Sequence, residues 1–262
     1  MTTTIALAGK GGVGKTTFAA LLIKHLVESG AGSILAIDAD PSTNLNLALG
    51  LPLERTIGDI REEMLGSVNK VDGSLNGRPG MTKFVYLDME IEYALCEGER
   101  VDLLAMGRPE GPGCYCAVNH ILRDIVDRLG RSYDFVIIDN EAGLEHLSRR
   151  TTRDVDVLYV ITDPTVRGVV AAGRVGQMRN ELDINIKNAW LVVNRVTDEL
   201  TPALTQAIAG VDIPLAGTIP ADPAVTAADA DGRPLVELGQ DSAIYRSVQA
   251  IIEKTLVGNT VR

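Results

Sequence analysis

One segment near the amino terminus restricts the possible folds of this chain more than any other. The apolar run Thr4 to Ala8 leads into Gly9-Lys10-Gly11-Gly12-Val13-Gly14-Lys15-Thr16, and a helical pattern of apolar residues begins at Lys15. A strand, a loop that fits G-x-x-x-x-G-K-[ST] and a helix in direct succession are the pattern of a phosphate-binding loop. The alternative is a glycine-rich turn before an ordinary helix, and the complete spacing argues against it.

Each residue type in this loop has a chemical reason to be there. Glycines let backbone N–H groups turn inward around a polyphosphate, and the following helix adds the positive end of its dipole. Lys15 neutralises the β- and γ-phosphates, and the Thr16 hydroxyl is a ligand for Mg²⁺. The sequence therefore predicts a site for Mg²⁺ and a nucleoside triphosphate, with the binding residues Gly11, Gly12, Val13, Gly14, Lys15, Thr16 and Thr17.

The rest of the chain alternates short apolar runs with helical patterns, which predicts an α/β fold with a mostly parallel central sheet and helices on both faces. We expect the 262 residues to form one P-loop domain, 1–262. The predicted strands are Thr4 to Ala8, Ser33 to Ile37, Val101 to Met106, Phe135 to Ile138, Val155 to Ile161, Ala189 to Val193 and Leu215 to Ile219. The predicted helices are Lys15 to Glu28, Val118 to Leu129, Val166 to Leu182 and Ser242 to Leu256.

The segment 51–93 follows no clear periodicity. It contains a turn-rich patch around Asp72 to Gly80. Gly, Pro, Asn and Asp clusters of this kind are typical of loops. We therefore expect an irregular insertion on the edge of the sheet rather than a separate domain.

Composition excludes several classes of partner. The chain has 25 Lys and Arg against 35 Asp and Glu, a net charge of −10, which opposes docking on nucleic acid or anionic lipid. Met1 leads directly into threonines without a signal-peptide pattern, and no apolar run reaches the ~20 residues of a membrane span. Three cysteines are too few for a disulfide framework. We expect a cytoplasmic protein with no nucleic acid and no membrane partner.

Two predicted strands end in carboxylates. Ser33 to Ile37 is followed by Asp38-Ala39-Asp40-Pro41, and Phe135 to Ile138 is followed by Asp139-Asn140-Glu141-Ala142-Gly143. Ligands of open α/β sheets bind at the carboxyl ends of the strands. An apolar strand that ends in Asp is the pattern in which the carboxylate holds Mg²⁺, here Asp139, directly or through water. For Asp38 and Asp40 the alternative is capping of a short helix over 44–49.

The loop resembles the deviant Walker A motif, K-G-G-V-G-K-T, of the MinD, ParA and nitrogenase iron protein superfamily, and D-x-x-A-G resembles its switch II. The resemblance implies ATP as the nucleotide and a homodimer that forms on ATP binding, with Lys10 reaching the nucleotide of the neighbouring subunit. It implies that Asp40 orients or deprotonates the attacking water and that Asp38 lies near Mg²⁺. The catalytic residues would then be Lys10, Lys15 and Asp40, and a second cation near the phosphates suits phosphoryl transfer.

The same resemblance implies a base-binding region. Asn194 follows the predicted strand Ala189 to Val193, and Pro220-Ala221-Asp222 follows Leu215 to Ile219. In the superfamily, adenine is recognised at these strand ends. Asn194 would bond the base edge, and the loop of Pro220 and Asp222 would frame the base. An Asn after a strand is by itself usually a turn residue.

A cysteine pair, Cys114-Tyr115-Cys116, lies on a loop of glycine and proline before a predicted helix. Two thiolates are half of a tetrahedral S₄ site, and a two-fold dimer presents the same pair twice. The pair therefore fits a metal site at a dimer interface. Thiolates take Zn²⁺, copper and Ni²⁺, and geometry rather than the motif selects the metal. The alternatives are two small buried residues or a reactive dithiol.

Taken together, Cys114-Tyr115-Cys116, D-N-E-A-G and Leu144-Glu145-His146-Leu147 resemble the CooC family, the ATPases that mature nickel-iron-sulfur carbon monoxide dehydrogenase. The resemblance implies ATP-driven dimerisation coupled to nickel insertion, with Cys114 and Cys116 as metal ligands and carbon monoxide dehydrogenase as the client. Cys96 has no counterpart in this motif. We interpret His25, His120 and His146 as structural, and we assign no catalytic role to Glu141.

Other members of the superfamily fit less well. A MinD-like membrane positioner needs a basic amphipathic terminal helix, whereas the last predicted helix has mixed charge around its apolar stripe. A ParA-like DNA partitioner needs a basic patch, and an iron-protein reductase needs cysteines in two separate loops. The alternative function that remains is a regulatory or positioning switch that acts on a protein partner without metal.

Overall fold

The computed structural model describes residues 2–68, 82–107, 116–142, 154–178 and 185–256, without the side chains of 65–68, 116–120, 123 and 176–178. In these ranges it contains a seven-stranded sheet in which every strand pairing is parallel. The strands are β1 (Thr3–Gly9), β2 (Ile34–Asp38), β3 (Val101–Ala105), β4 (Phe135–Asp139), β5 (Asp154–Thr162), β6 (Asn185–Val196) and β7 (Leu215–Pro220). All seven predicted strands are confirmed.

The strand order β3-β2-β4-β1-β5-β6-β7 places β1 at the centre. The glycine-rich loop therefore leaves the middle of the sheet, with β4 on one side and β5 on the other. Asp139 at the end of β4 pairs in register with Leu7 of β1 and with Asp38 of β2. Both acidic strand ends thus lie side by side at the edge from which the loop emerges, where the sequence predicts them.

The described helices are α1 (Lys15–Glu28), α2 (Leu45–Leu49), α3 (Ile57–Val68), α4 (Lys83–Ala94), α5 (Cys116–Gly130), α6 (Val166–Met178), α7 (Pro202–Ala209), α8 (Pro223–Asp231) and α9 (Ala243–Leu256). The prediction of α1 is confirmed to the residue. The predictions of α5, α6 and α9 are confirmed with boundary shifts, and residues 179–182 of the predicted α6 lie outside the described residues.

Two hydrophobic cores cover the two faces of the sheet. Successive side chains of β1 alternate between them. Ile5 belongs to the core that includes α1 and α9, and Ala6 belongs to the core that includes α4, α5 and α6. Parallel sheets of this kind are buried on both faces. The strands are consequently apolar almost without interruption, and polar residues gather at the strand ends, where ligands bind.

The segment 51–93 differs from the expected irregular insertion. Its described parts contain α3 and α4, and four of their side chains are completely buried in one core: Ile60, Met64, Leu87 and Ile91. The apolar spacing of α3 and α4 is helical, but the turn residues between them obscured it. The turn-rich patch itself lies outside the described residues. Within the described ranges, no helix is long and apolar enough to cross a membrane.

Candidate nucleotide-binding site

The glycine-rich loop depends on glycine at two positions where other atoms come close. Gly9 has a φ of 147°, and a Cβ there would overlap the carbonyl oxygen of Ile161 on β5. Gly14 has a φ of 94°, and a Cβ there would overlap the side-chain amide nitrogen of Asn194. Larger residues would be strained at both positions. The loop is therefore fixed against the ends of two neighbouring strands.

The amino terminus of α1 is ready for an anion. Gly14 precedes the helix without a side-chain cap, and no acidic residue lies in the first turn, so the first N–H groups of α1 are available to a phosphate. Lys15 is only 7% exposed, and its Nζ donates to the carbonyl oxygen of Lys10 at 3.3 Å. The ammonium group is thus held across the loop, whereas the Lys10 side chain is exposed to solvent.

The next residue connects the loop to the acidic strand end. Thr16 Oγ1 donates to Asp139 Oδ2 at 2.6 Å. The other carboxylate oxygen, Asp139 Oδ1, is buried and has no hydrogen-bond partner among the described residues. Carboxylate and hydroxyl oxygens are ligands that Mg²⁺ accepts, directly or through its waters. The hydroxyl and the unpaired buried oxygen therefore fit the Mg²⁺ that the sequence predicts.

The electrostatics of this pair favour a cation. The pKa of Asp139 is raised from 3.8 to about 7, chiefly by burial. The charges of Asp38 and Asp40 contribute to the rise, and the Thr16 hydrogen bond and the Lys15 charge oppose it. Burial also raises the pKa of Asp38. Desolvation disfavours the ionised carboxylate in both cases. A divalent cation at this site would stabilise the charged forms.

Asp38 acts as a cap, the alternative that the sequence leaves open. Its Oδ1 accepts from the backbone N–H of Asp40 at 3.0 Å, and its Oδ2 accepts from that of Leu45, the first residue of α2, at 2.9 Å. Both oxygens are therefore used to shape the loop that carries Asp40. Asp38 lies beside Asp139, as predicted. Because both of its oxygens accept backbone hydrogen bonds, it shapes the loop that carries Asp40.

Asp40 is placed differently. It is partly exposed, and its Oδ1 accepts from the N–H of Ser42 at 2.8 Å. Its Oδ2 makes no hydrogen bond to the described residues. Thr43, three residues on, has a φ of 47°, an uncommon conformation for threonine. This bent loop holds one carboxylate oxygen in place and leaves the other available.

Asn140 is a buried polar residue to which the sequence assigned no role. It is 1% exposed, and its Nδ2 donates to the carbonyl oxygen of Leu7 at 2.8 Å. This bond ties the end of β4 to the strand that carries the loop. The Oδ1 of Asn140 is buried and has no hydrogen-bond partner in the part of the chain that the structure describes. The position of Asn140 directly after Asp139 was the one sequence signal that could have indicated its role. Its hydrogen-bond partner lies 133 residues away, so the sequence alone does not identify that partner.

A pocket of about 820 Å³ adjoins the loop beyond β6 and β7. The structure brings Thr17, Asn194, Pro220 and Asp222 together around it, as predicted. Arg195, which the sequence analysis did not single out, also lines the pocket and is exposed. Its φ of 60° is another uncommon backbone conformation. This pocket is where the sequence predicts that a base lies.

The polar atoms of Asn194 and Asp222 are used within the protein. Asn194 Nδ2 donates to the carbonyl oxygen of Val13 at 2.8 Å, and its Oδ1 accepts from the N–H of Arg195 at 2.9 Å. Asp222 accepts from the N–H groups of Ala224 and Ile244 and so joins the starts of α8 and α9. Asn194 therefore holds the phosphate-binding loop, Asp222 holds the pocket wall, and the bond from Asn194 to the base edge stays a prediction.

The cysteine pair falls largely outside the described residues. Cys114 lies in the range 108–115, and Cys116 is the first residue of α5 without a described side chain. Gly143 and residues 144–147, which belong to the motifs that resemble the CooC family, also lie outside the described residues. Cys96 is described; its thiol donates to the carbonyl oxygen of Pro52 at 2.7 Å, and burial raises its pKa. This bonded thiol fits the structural role that the sequence suggests for it.

Replacing Asp139 with Asn tests how much the buried, ionised carboxylate lowers the free energy of unfolding. Because the folded-state pKa lies above the ordinary value, this group lowers stability progressively as pH rises from about 4 through about 7. At roughly 1.4 kcal/mol per pKa unit, we expect Asp139→Asn to be more stable than wild type by a few kcal/mol at pH 8, with little gain at pH 4.5. Urea unfolding without Mg²⁺ and nucleotide measures this, and an equal difference at both pH values would contradict it.

Replacing Asn194 with Ala separates support of the loop from recognition of the base. Loss of the bond to Val13 leaves a buried carbonyl without its partner, a cost of roughly 1–3 kcal/mol. Because this effect does not involve the base, we expect Asn194→Ala to weaken binding of both ATP and inorganic tripolyphosphate at least about fivefold. Thr197→Ala, on the exposed rim of the pocket, is the control. Undiminished tripolyphosphate binding in calorimetry would show that Asn194 acts on the base alone.

Comparison with known proteins places this geometry in a family. The CobQ/CobB/MinD/ParA nucleotide binding domain matches residues 4–235. An uncharacterized ATP-binding protein of Methanocaldococcus jannaschii is 45% identical over 252 residues, 96% of this chain and 98% of the relative. The carbon monoxide dehydrogenase accessory protein CooC of Rhodospirillum rubrum is 32% identical over 239 residues, 87% of each chain.

Solved structures share the fold. The septum site-determining protein MinD of Pyrococcus horikoshii, complexed with Mg-ADP, superposes with a TM-score of 0.66 at 23% identity and covers 99% of this chain and 98% of that one. The MinC:MinD cell division protein complex of Aquifex aeolicus superposes with a TM-score of 0.69 at 22% identity, and the match covers 99% of this chain and 97% of that one. The loop, the Thr16–Asp139 pair and the match over residues 4–235 lead to one conclusion: the chain belongs to the CobQ/CobB/MinD/ParA family of nucleotide-binding ATPases.

Proposed function

We propose that this chain is an ATP-dependent, dimerising ATPase that assists nickel insertion into carbon monoxide dehydrogenase. The observation that carries the nucleotide part is the unpaired, buried oxygen of Asp139 beside the Thr16 hydroxyl at the start of α1. The similarity to the CooC protein over 87% of the chain supports the client. The cysteine pair supplies the chemistry for the metal.

Hydrolysis follows from the groups at the two strand ends. Lys15 and the first N–H groups of α1 would bind the phosphates. Thr16 and Asp139 would hold Mg²⁺, which would supply positive charge to offset that of the phosphates. Asp40 orients a water with its available oxygen and accepts the water's proton as the water attacks the γ-phosphorus. The bond from that phosphorus to the bridging oxygen breaks, and ADP leaves.

The position of Lys10 supports the proposed dimerisation. Its side chain is exposed, although its own carbonyl is bonded inside the loop by Lys15. An exposed lysine at this point is available to the phosphates of a second subunit that faces the loop, where it stabilises charge in the transition state. ATP bound by one subunit would thus be hydrolysed with help from the other.

The proposed metal site at the dimer interface is supported by the position at which α5 begins. The helix connects β3 to β4, two parallel strands, so it starts at the carboxyl edge of the sheet and runs back to the amino edge. Cys116, its first residue, therefore lies at the edge that also carries the nucleotide loop. A second subunit facing that edge would bring its own cysteine pair near, and nickel would be held by the two pairs as cargo.

The second candidate is a switch that acts on a protein partner without metal. It is favoured by the similarity to MinD of Bacillus subtilis, 28% identical over 252 residues and 93% of this chain. Both candidates use the same ATP site. They differ in whether the cysteine pair binds metal.

Three single variants test the ATP cycle. Lys15→Ala should abolish productive Mg-ATP binding, because it removes the cation at the phosphates. Asp40→Ala should keep binding but lose turnover, and so should accumulate the ATP-bound dimer in light scattering. Lys10→Ala should bind ATP and hydrolyse it slowly. A chain that stays monomeric with saturating ATP, or a Lys10→Ala variant with the parental rate, contradicts the model in which Lys10 acts on the neighbouring subunit.

Metal titration tests the cysteine pair. If Cys114 and Cys116 of two subunits share one ion, Ni²⁺ or Zn²⁺ should bind at one ion per two chains and promote dimerisation by linkage. Cys114→Ala and Cys116→Ala should each remove both effects, while Cys96→Ala, the control, should not. Competition with a chromophoric chelator gives the stoichiometry. One metal per chain, or tight binding by the Cys114→Ala, Cys116→Ala double variant, would favour the metal-free switch.

A further inference from the structure

Strand β6 contains one extra residue where it borders the nucleotide pocket. Its pairing with β7 joins Val193 to Thr218 and then Val196 to Pro220, so three steps along β6 correspond to two along β7. The pair Asn194-Arg195 therefore forms a β-bulge. Bulges are uncommon between parallel strands, and they are frequent beside functional sites, where they redirect a side chain.

The bulge turns Arg195 towards the face of the sheet on which α1 and α9 pack. Successive side chains of a regular strand point to opposite faces, so Arg195 would point away from the side of its neighbour Asn194. Both residues instead line the same pocket, together with Thr17 of α1 and Ile244 of α9. The backbone of β6 thus places an exposed arginine at the pocket.

The backbone of Arg195 is held in an uncommon conformation. Its φ is 60°, a region that is costly for residues other than glycine. The N–H of Arg195 donates to Asn194 Oδ1 at 2.9 Å, and Asn194 Nδ2 donates to the carbonyl oxygen of Val13. Strained backbone of this kind persists where the surrounding structure fixes it, and it is common at ligand sites. Asn194 therefore fixes both the phosphate-binding loop and the backbone that carries the Arg195 side chain.

The remaining lining of the pocket offers apolar surface but no aromatic ring. Among the described residues around it, none is aromatic and Arg195 is the one cation. Pro220, Pro223 and Val225 supply aliphatic surface. A guanidinium group is planar, stays charged and stacks on the faces of π systems. Arg195 is therefore the lining residue whose shape and charge match the flat face of a base.

We propose that Arg195 stacks its guanidinium plane on the base of the bound nucleotide and makes the pocket prefer purines to pyrimidines. On the proposed function, on which this role rests, the nucleotide is ATP. A purine has the larger ring face, so stacking stabilises it more than a pyrimidine. The phosphates are a less suitable target, because β5 separates β6 from β1, the strand that carries the loop, and Lys15 already lies across that loop.

Binding of ADP, CDP and pyrophosphate, each with Mg²⁺, to the full chain would be measured by calorimetry, since ADP is the product of hydrolysis and binds without turnover. Arg195→Gly removes the side chain at a position whose positive φ suits glycine, and Arg195→Lys keeps the charge without the plane. Both variants should bind ADP about three- to tenfold more weakly than wild type, lose part of the preference for ADP over CDP, and bind pyrophosphate as wild type does. Arg131→Gly, at an exposed arginine just before β4 and at the opposite edge of the sheet, is the matched control and should leave all three affinities unchanged.

The outcomes separate this role from the nucleotide site on which it rests. Unchanged ADP affinity in both Arg195 variants, or in Arg195→Lys alone, would overturn the stacking and leave the nucleotide site intact. Equal weakening of ADP and pyrophosphate would assign Arg195 to the phosphates, and equal weakening by Arg131→Gly would reduce the effect to net charge; each overturns the stacking too. Failure of wild type to bind any of the three ligands would overturn the nucleotide site as well. Urea unfolding of each variant shows that it is folded.

Discussion

The hydrogen bond from Thr16 to Asp139 joins the two halves of the site, and the rest of the structure is arranged around it. It connects the first turn of α1 to the end of β4, 123 residues later in sequence. It uses one oxygen of a buried carboxylate, and the other has no hydrogen-bond partner within the described ranges. Burial of an unpaired carboxylate is costly. The fold tolerates that cost at the point where a cation and phosphates are to bind.

The strand order makes this arrangement possible. Because β1 lies between β4 and β5 and β2 lies beyond β4, the loop, Asp139 and Asp38 reach the same edge from separate parts of the chain. Buried amides then fix the geometry: Asn140 ties β4 to β1, and Asn194 ties β6 to the loop. The loop and the strand that carries it are therefore held by side chains from both sides of β1.

Sequence patterns predicted the elements with strong periodicity and failed where long-range contacts decide. The limits of α1 followed from its glycine loop and apolar spacing. The helical character of 51–93 was hidden by turn residues, although Ile60 and Leu87 are core residues. An aspartate at a strand end can cap a helix or face a metal, and sequence cannot separate these; only the bonds of Asp38 show that it caps. Asn140 was missed because its partner lies on another strand.

The most direct test of this account is the Mg²⁺ dependence of nucleotide binding. Affinity for a non-hydrolysable ATP analogue would be measured by calorimetry with Mg²⁺ and with a chelator, in wild type and Asp139→Asn. If the unpaired oxygen of Asp139 helps to hold the cation, Mg²⁺ should increase wild-type affinity roughly 10- to 100-fold more than that of the variant. An equal Mg²⁺ effect in both proteins would contradict the central role given to this carboxylate.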